Sequence, residues 1–406
     1  MSKTTIPSGY RMPLSNNELQ RAIELIHQEF QHSLCVRLNL HRVSAPLFVD
    51  GRTGLNDDLN GVERPVSFDI PDVGTDGQVV HSLAKWKRLA LKRYEFPEGT
   101  GLYTNMNAIR RDEEVDNLHS IYVDQWDWEK HISPKDRNVL YLKETVRDIV
   151  GAICDTSAAL RNAFPALTFK PDRDVYFITT QELEDRWPDK SPKERENLIT
   201  QEHGCVFLMK IGDKLKSGEP HDGRAPDYDD WQLNGDLLFY NAVLDNALEI
   251  SSMGIRVDAA ALDEQLRKAG CDNRRNLPYH RMLLEGKLPC TIGGGIGQSG
   301  PVIIHHRAEL HTAQQRDQRP GDVSRAEDHR PLPNGEGERK VGSCQDAALG
   351  EGGCTAAAQK GHALAVQQRR GGAVLRRISQ PGWAAVSRSS AVSNTLCQRM
   401  SSGEMN

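Results

Sequence analysis

At 406 residues, 38% hydrophobic and 26% charged, the chain has the length and composition of one large globular domain or two ordinary ones. A formal net charge of −5 excludes a generally basic nucleic-acid surface. No stretch approaches the roughly 20 apolar residues of a membrane helix, and Met1 to Leu14 is too polar for the core of a signal peptide.

In chain order, Leu19, Ile23, Ile26, Phe30 and Leu34 recur at helical spacing, which predicts a helix over 17–35 with Asn16 as its cap. Leu40 to Val49 reads as a strand broken or edged by Pro46. Asn56-Asp57-Asp58-Leu59-Asn60-Gly61 is a polar loop, in isolation an ordinary turn. A second helix, His81 to Tyr94, carries Leu83, Trp86, Lys87 and Ala90. Gly101 to Ile109 and His119 to Glu129 read as two strands of a long hairpin. The second puts Ile121, Val123, Gln125 and Asp127 on one face. Polar groups ending an apolar face are costly without partners, which points to a site. The hairpin loop, Arg110-Arg111-Asp112-Glu113-Glu114, reads either as a solvated charge run or as an arginine fork aimed at a phosphate.

Arg224-Ala-Pro-Asp-Tyr-Asp-Asp-Trp231 sets three acids beside two aromatics that are poorly placed in water. Asp236 starts the strand Leu237 to Tyr240, and Glu249 opens the next, Glu249-Ile-Ser-Ser-Met-Gly-Ile-Arg256. Two acids flanking one hairpin suit a Mg²⁺ ion held through a nucleotide phosphate. Glu249 and Arg256 are seven apart, so a regular strand would put them on opposite faces; a bulge at Gly254 would reunite them. Gly293-Gly294-Gly295-Ile296-Gly297-Gln298-Ser299 is expected to be a small-residue loop opening onto a helix. It is a plain turn or a place where backbone approaches a ligand closely.

Six strings together resemble ammonia-dependent asparagine synthetases, the aspartate–ammonia ligases. They are Val79-Val-His-Ser-Leu-Ala-Lys-Trp-Lys-Arg88, Gly101-Leu-Tyr-Thr104, His119-Ser-Ile-Tyr-Val-Asp-Gln-Trp-Asp-Trp-Glu129, Arg224 to Trp231, Glu249 to Arg256 and Thr291 to Ser299. The resemblance spans about residue 17 to Ser299. It implies an α+β fold, an antiparallel β-sheet flanked by helices, similar to the catalytic domain of class II aminoacyl-tRNA synthetases. Helix 17–35 with the strand through Pro46 would be motif 1, the contact of a homodimer formed through residues 17–50. The Arg110 hairpin would be motif 2, and Glu249 to Ser299 would lie in and before motif 3.

The resemblance also implies the chemistry. The β-carboxylate of L-aspartate attacks the α-phosphorus of ATP to give β-aspartyl-AMP and pyrophosphate; ammonia then displaces AMP and L-asparagine results. By the same resemblance Arg110 neutralises the α-phosphate. Asp236 and Glu249 hold Mg²⁺, which orients the β- and γ-phosphates. Gly293, Gly294, Gly295 and Gly297 border ATP. Lys87 and Arg256 surround the substrate side chain, Ser82 and Asp127 receive its α-ammonium, and Gln125 bonds the acyl-adenylate. Asp57 and Asp229 handle the incoming nitrogen.

The pattern departs at residue 300. Motif 3 should continue into an arginine and an apolar helix, where this chain has Gly300-Pro301. Residues 301–406 carry 14 Lys and Arg against 10 Asp and Glu, a net of +4 that leaves −9 for the rest, and Trp383 is their only aromatic residue. The reading is a catalytic domain over 1–299 and an aberrant, disordered tail over 300–406. The sequence is also compatible with a second reading, a catalytically impaired synthetase-like binding protein that lacks the motif 3 arginine and helix. A tRNA synthetase is disfavoured, because motif 1 begins too early to leave room for an anticodon-binding barrel; no tRNA partner is expected. The eight cysteines, Cys35, Cys154, Cys205, Cys271, Cys290, Cys344, Cys354 and Cys397, form no CxxC pair, which predicts free thiols and a cytoplasmic location.

Overall fold

The computed structural model describes residues 7–57, 59 and 63–298. Ser299, the Gly300-Pro301 step and the tail over 300–406 lie outside these residues, as do Asp58, Asn60 and Gly61 of the polar loop.

Helix α1 (Asn16–Leu38) starts one residue earlier than expected. Its N-cap is Ser15, not Asn16, in a reciprocal capping box: the Ser15 hydroxyl accepts from the Glu18 amide at 3.3 Å, and the Glu18 carboxylate accepts from the Ser15 amide at 2.9 Å. The stripe Leu19, Ala22, Ile26, Phe30, Leu34 and Leu38 is buried in the main core, which α1 shares with α3 (Val139–Ala163). The apolar face of this helix is therefore covered by the chain itself.

The strand expected over Leu40 to Val49 is two strands. β1 (Leu40–Arg42) pairs in parallel with β5 (Gly101–Ile109); the chain breaks at the segment holding Pro46, and β2 (Phe48–Asp50) joins a different sheet. That sheet has three strands, β2 beside β4 (Thr75–Val79) beside β3 (Ser67–Ile70). The missing amide of Pro46 suits the break between ladders.

The main sheet has eight strands, β1 and β5 followed by β6 (Tyr122–His131), β11 (Thr291–Gly297), β10 (Asn246–Arg256), β9 (Asp229–Asn241), β8 (Cys205–Met209) and β7 (Tyr176–Thr179). All neighbours are antiparallel except the outermost pair at each edge. On one side Trp126, Trp128, Ile292, Ile296, Met253 and Ile255 pack toward α1 and α3. On the other lie α2 (Ala84–Arg93), α6 (Ala259–Lys268) and α7 (Pro278–Leu284), sharing a second core with Leu102 and Met106 of β5. Helices α4 (Thr180–Arg186) and α5 (Pro192–His203) cover the β7–β8 edge through a small third core.

The glycine run is a correction. Gly293, Gly294, Gly295 and Gly297 form no loop; they are strand β11 in the middle of the sheet, paired on one side with β6 and on the other with β10. Glycine is a poor strand former on its own, and two flanking ladders supply what propensity withholds. The helix expected after it lies outside the described residues.

Candidate active site

Period-2 alternation along β6 sends Trp126 and Trp128 into the core and Gln125, Asp127 and Glu129 to the opposite face. Helix α2 crosses that face and delivers Lys87, whose Nζ pairs with the Asp127 carboxylate, donates to the Gly294 carbonyl at 3.1 Å and stands 3.9 Å from Glu129. From β10, Arg256 grips Glu129 with Nε at 3.1 Å to both oxygens and Nη2 at 2.7 Å, while Nη1 pairs with Asp229 at the start of β9. The Thr291 hydroxyl donates to Glu129 at 2.7 Å, and the Tyr228 ring lies 5.8 Å from the guanidinium.

All five charged groups are buried. Burial lowers the Lys87 ammonium and raises the Asp127 carboxyl, so both ends of that pair are pushed toward neutrality. Burial also pushes Glu129 up, but the Arg256 charge outweighs it and holds Glu129 below the ordinary value. Sequence reading missed Glu129, although the alternation that selected Gln125 and Asp127 reaches it two residues later.

The glycines form the floor. A Cβ at Gly293 would lie 2.0 Å from Glu129 Oε2 and 2.6 Å from Arg256 Nη2, and one at Gly295 would lie 2.2 Å from Gln125 Oε1. Gly294 faces the other way, where Met253 fills the space, and contributes its carbonyl to Lys87.

Beyond Gln125 the floor opens into a cleft of about 400 Å³, lined among others by Arg110, Lys193, Glu196, Glu249 and Gly297. Arg110, at the end of the β5 strand as expected, is half-buried with Glu113 4.0 Å away. The side chain of Glu249 is exposed to the cleft, with protein packed around its base. That crowding, and next the Asp236 charge, push its carboxyl up to about 7. Asp236 is buried beneath Arg224, which bonds it at 2.6 Å and also reaches Ser252; burial raises its carboxyl against the pull of Arg224. Arg224, Lys193 and Glu196 were not singled out from sequence.

Glu249 and Arg256 do share a face, but not through Gly254. Leu248 and Ile250 enter the core and then Met253 and Ile255 do, so the parity changes between Ile250 and Met253, where pairing with β9 slips between Glu249 and Ser251. The pairing is irregular again between Gly254 and Arg256. There Gly254 makes room: a Cβ would meet the Asp229 carboxyl at 2.9 Å.

Asp57 and Ser82 stand apart from the cleft. Asp57 lines a separate cavity of about 220 Å³ with Lys85, Asp227, Arg274 and His280. The Ser82 hydroxyl accepts from the Ala84 amide at 3.1 Å at the entry to α2. The two regions remain electrostatic neighbours. Tyr228, the ring beside Arg256, has its hydroxyl raised by burial and then by the Asp57 charge, and buried His81, bonded to the Asp57 carbonyl, feels Arg110. No cluster of three or more His, Cys, Asp or Glu side chains poised for a metal occurs among the described residues.

The helix-flanked sheet shares its fold with class II aminoacyl-tRNA synthetases. Asparaginyl-tRNA synthetase from Pyrococcus horikoshii, solved with asparaginyl-adenylate, overlays with a TM-score of 0.52 at 14% identity, covering 71% of this chain and 65% of that one. An aspartyl tRNA synthetase from Entamoeba histolytica gives 0.50 at 14%, covering 71% and 56%. The family model described as aspartate-ammonia ligase matches residues 17–313, running past Ser299. An aspartate–ammonia ligase of Lactobacillus johnsonii is 60% identical over 296 residues, 72% of this chain and 88% of that protein. One of Clostridium perfringens is 60% identical over 302 residues, 74% and 89%. The chain belongs to the aspartate–ammonia ligase family, a family of AMP-forming ligases.

Proposed function

We propose that this ligase binds L-aspartate at the buried network and ATP in the cleft, with the β-carboxylate meeting the α-phosphorus above the glycine floor between them. The observation that carries this reading is that one strand floors both regions: Gly293 lies under Glu129 and Arg256, and Gly295 under Gln125 at the cleft edge. The reaction is formation of L-asparagine from L-aspartate, ammonia and ATP through β-aspartyl-AMP, with release of AMP and pyrophosphate.

Lys87 and Arg256 take substrate carboxylate oxygens, trading bonds to Asp127 and Asp229 for bonds to the ligand. Asp127 and Ser82 take the α-ammonium. Arg110 neutralises charge that grows on the α-phosphate as the new oxygen bond forms. Gln125, on the rim between the two regions, bonds the acyl-adenylate. Asp57 and Asp229 handle the nitrogen in the second step.

The Asp236–Glu249 pair fits Mg²⁺. Its donors are all oxygen; burial raises both carboxyls, and at Glu249 the Asp236 charge adds to it, which a cation would relieve. Bound there with nucleotide, the ion would offset phosphate charge and favour departure of pyrophosphate. Motif 2 and the glycine floor recognise ATP, and no tRNA is involved. The free thiols of Cys35, Cys154, Cys205, Cys271 and Cys290 support a cytoplasmic setting. A homodimer through residues 17–50 would use Val36, Leu47 and Phe48, exposed at 67%, 56% and 44%, since the stripe of α1 is already covered. The domain reading, catalysis over 1–299 and a departing tail over 300–406, rests on sequence alone.

Aspartate-dependent exchange of pyrophosphate into ATP tests the assignment. Lys87→Met should raise the aspartate requirement and Glu249→Gln the Mg²⁺-ATP requirement; the reverse pattern would overturn the placement of the two substrates.

A further inference from the structure

The cavity beside Asp57 holds a group that the adenylation chemistry does not use. Asp227 is fully buried, and one of its oxygens, Oδ2, receives Lys85 Nζ at 3.1 Å, Arg274 Nη1 at 3.0 Å and His280 Nε2 at 2.8 Å. Two adjacent cations and the imidazole hold the Asp227 carboxyl far below the ordinary range against its burial. An ionised carboxylate only accepts, so His280 must carry its proton on Nε2. In the neutral imidazole Nδ1 is then the lone-pair nitrogen. It is buried and has no hydrogen-bond partner, and His280 lines the cavity at 0% exposure.

A buried acceptor left without a donor is costly. His280 lies in the wall of the cavity of about 220 Å³. Across from Nδ1 stands Gly54, with φ at 72°, where a Cβ would come within 3.3 Å of that nitrogen. The Asp227 Oδ1 atom is also without a partner, so the dyad has acceptor capacity left over. The occupant implied is small and rich in N–H or O–H donors, and it sits between a carboxylate, Asp57, and an oriented basic nitrogen. The reaction needs one such species. Ammonium is the form present at neutral pH, and it must lose a proton before its nitrogen can attack a carbonyl carbon.

The cavity is one side chain away from the buried network. Asp227 and Asp229 flank Tyr228, whose ring faces Arg256.

We propose that this cavity is the ammonium port of the enzyme and that His280, oriented by Asp227, is the base that converts ammonium to ammonia. In the step, one N–H bond of ammonium breaks and its electron pair stays on nitrogen. The proton goes to His280 Nδ1, giving an imidazolium that still donates from Nε2 to Asp227. Ammonia then attacks the acyl carbon of β-aspartyl-AMP, the acyl C–O bond breaks with its electron pair leaving on AMP, and the attached nitrogen gives its surplus proton to water, as His280 does before the next turnover. This deepens the ammonium role given to Asp57 above and rests on it.

The test uses the full chain with His280→Gln, which can still donate to Asp227 but has no basic lone pair. Three rates are read at neutral pH: aspartate-dependent exchange of pyrophosphate into ATP, asparagine formation from ammonium chloride, and β-aspartylhydroxamate formation from hydroxylamine, which is already uncharged. Exchange and hydroxamate formation should stay within about 3-fold of the parent, while asparagine formation falls about 100-fold or more, the scale of a lost general base. The deficit should shrink as pH rises and free ammonia appears, with Asp57, Lys85, Asp227 and Arg274 the charged groups facing the imidazole. Equal loss with both nucleophiles would make His280 merely structural, and unchanged asparagine formation would mean the cavity holds only water; either result overturns the proposal. If glutamine abolishes exchange, His280→Asn is read in the same assays. Loss of exchange in Asp57→Asn would refute the role of Asp57 without altering the selective defect expected at His280.

Discussion

Gly293→Ala places one methyl group where the buried network has no room. The new Cβ would lie 2.0 Å from Glu129 Oε2, 2.6 Å from Arg256 Nη2 and 2.7 Å from Glu129 Cδ, against an ordinary contact of at least 3.4 Å. Glu129 cannot swing away, because Arg256 and Thr291 clamp it and both partners of the pair are buried. Either the strand shifts, at about 1–3 kcal/mol for overpacking, or the buried pair opens, at about 3–5 kcal/mol. Against a total of about 5–15 kcal/mol, a loss of about 3 kcal/mol moves the urea midpoint by a readily measured amount. Gly295→Ala is the control: its Cβ meets Gln125 Oε1 at 2.2 Å, but that amide is the far end of a flexible side chain at an open cleft. It should cost less than about 1 kcal/mol, the range of changes that relax easily. Urea titrations of both variants decide the matter. Equal midpoints, or a Gly293→Ala protein as stable as its parent, would refute the picture of a locked pair above a glycine floor.

Arg110→Ala should slow adenylate formation by about 2–4 kcal/mol, as for loss of an oxyanion donor, with the aspartate requirement little changed; unaltered exchange kinetics with weakened aspartate binding would contradict the role. Asp57→Asn should spare pyrophosphate release while slowing asparagine formation about 10²-fold or more; equal loss of both steps would make Asp57 structural or part of the aspartate site. Glu249 gives a pH signature. Its folded carboxyl is raised to about 7 by crowding and by Asp236, so its contribution to stability is full below the ordinary carboxylate range and is lost as pH climbs through about 7. Thermal melts between pH 5 and 8 should therefore decline less steeply in Glu249→Gln, and an unchanged slope would show that Glu249 titrates normally.

Much of the scaffold was legible because its signals are local. The helical spacing from Leu19 to Leu34, the break at Pro46 and the alternation through Gln125 and Asp127 each depend on a few neighbouring residues. The glycine run was misread for the opposite reason: its conformation is imposed by β6 and β10, which no window around Gly293 contains. The parity of Glu249 and Arg256 exposed a real irregularity, but its main position, between Glu249 and Ser251, is set by pairing with β9 rather than by the conspicuous Gly254. Glu129 was within reach of the alternation already in hand. The Asp227 cluster was not, since Lys85 and His280 come from 142 and 53 residues away, and only the fold makes them neighbours.

Strand β6 has a spectroscopic consequence. Trp126 and Trp128 are sealed behind the strand, one residue out of step with Gln125, Asp127 and Glu129, and the Trp126 ring lies 4.6 Å from that of Phe30 and 5.2 Å from that of His27. Two indoles thus ride on the backbone that carries the ligand-facing side chains, without touching the ligand face. With the other four, Trp86, Trp187, Trp231 and Trp383, replaced, their emission would serve as a built-in gauge of strain in that strand as each substrate arrives.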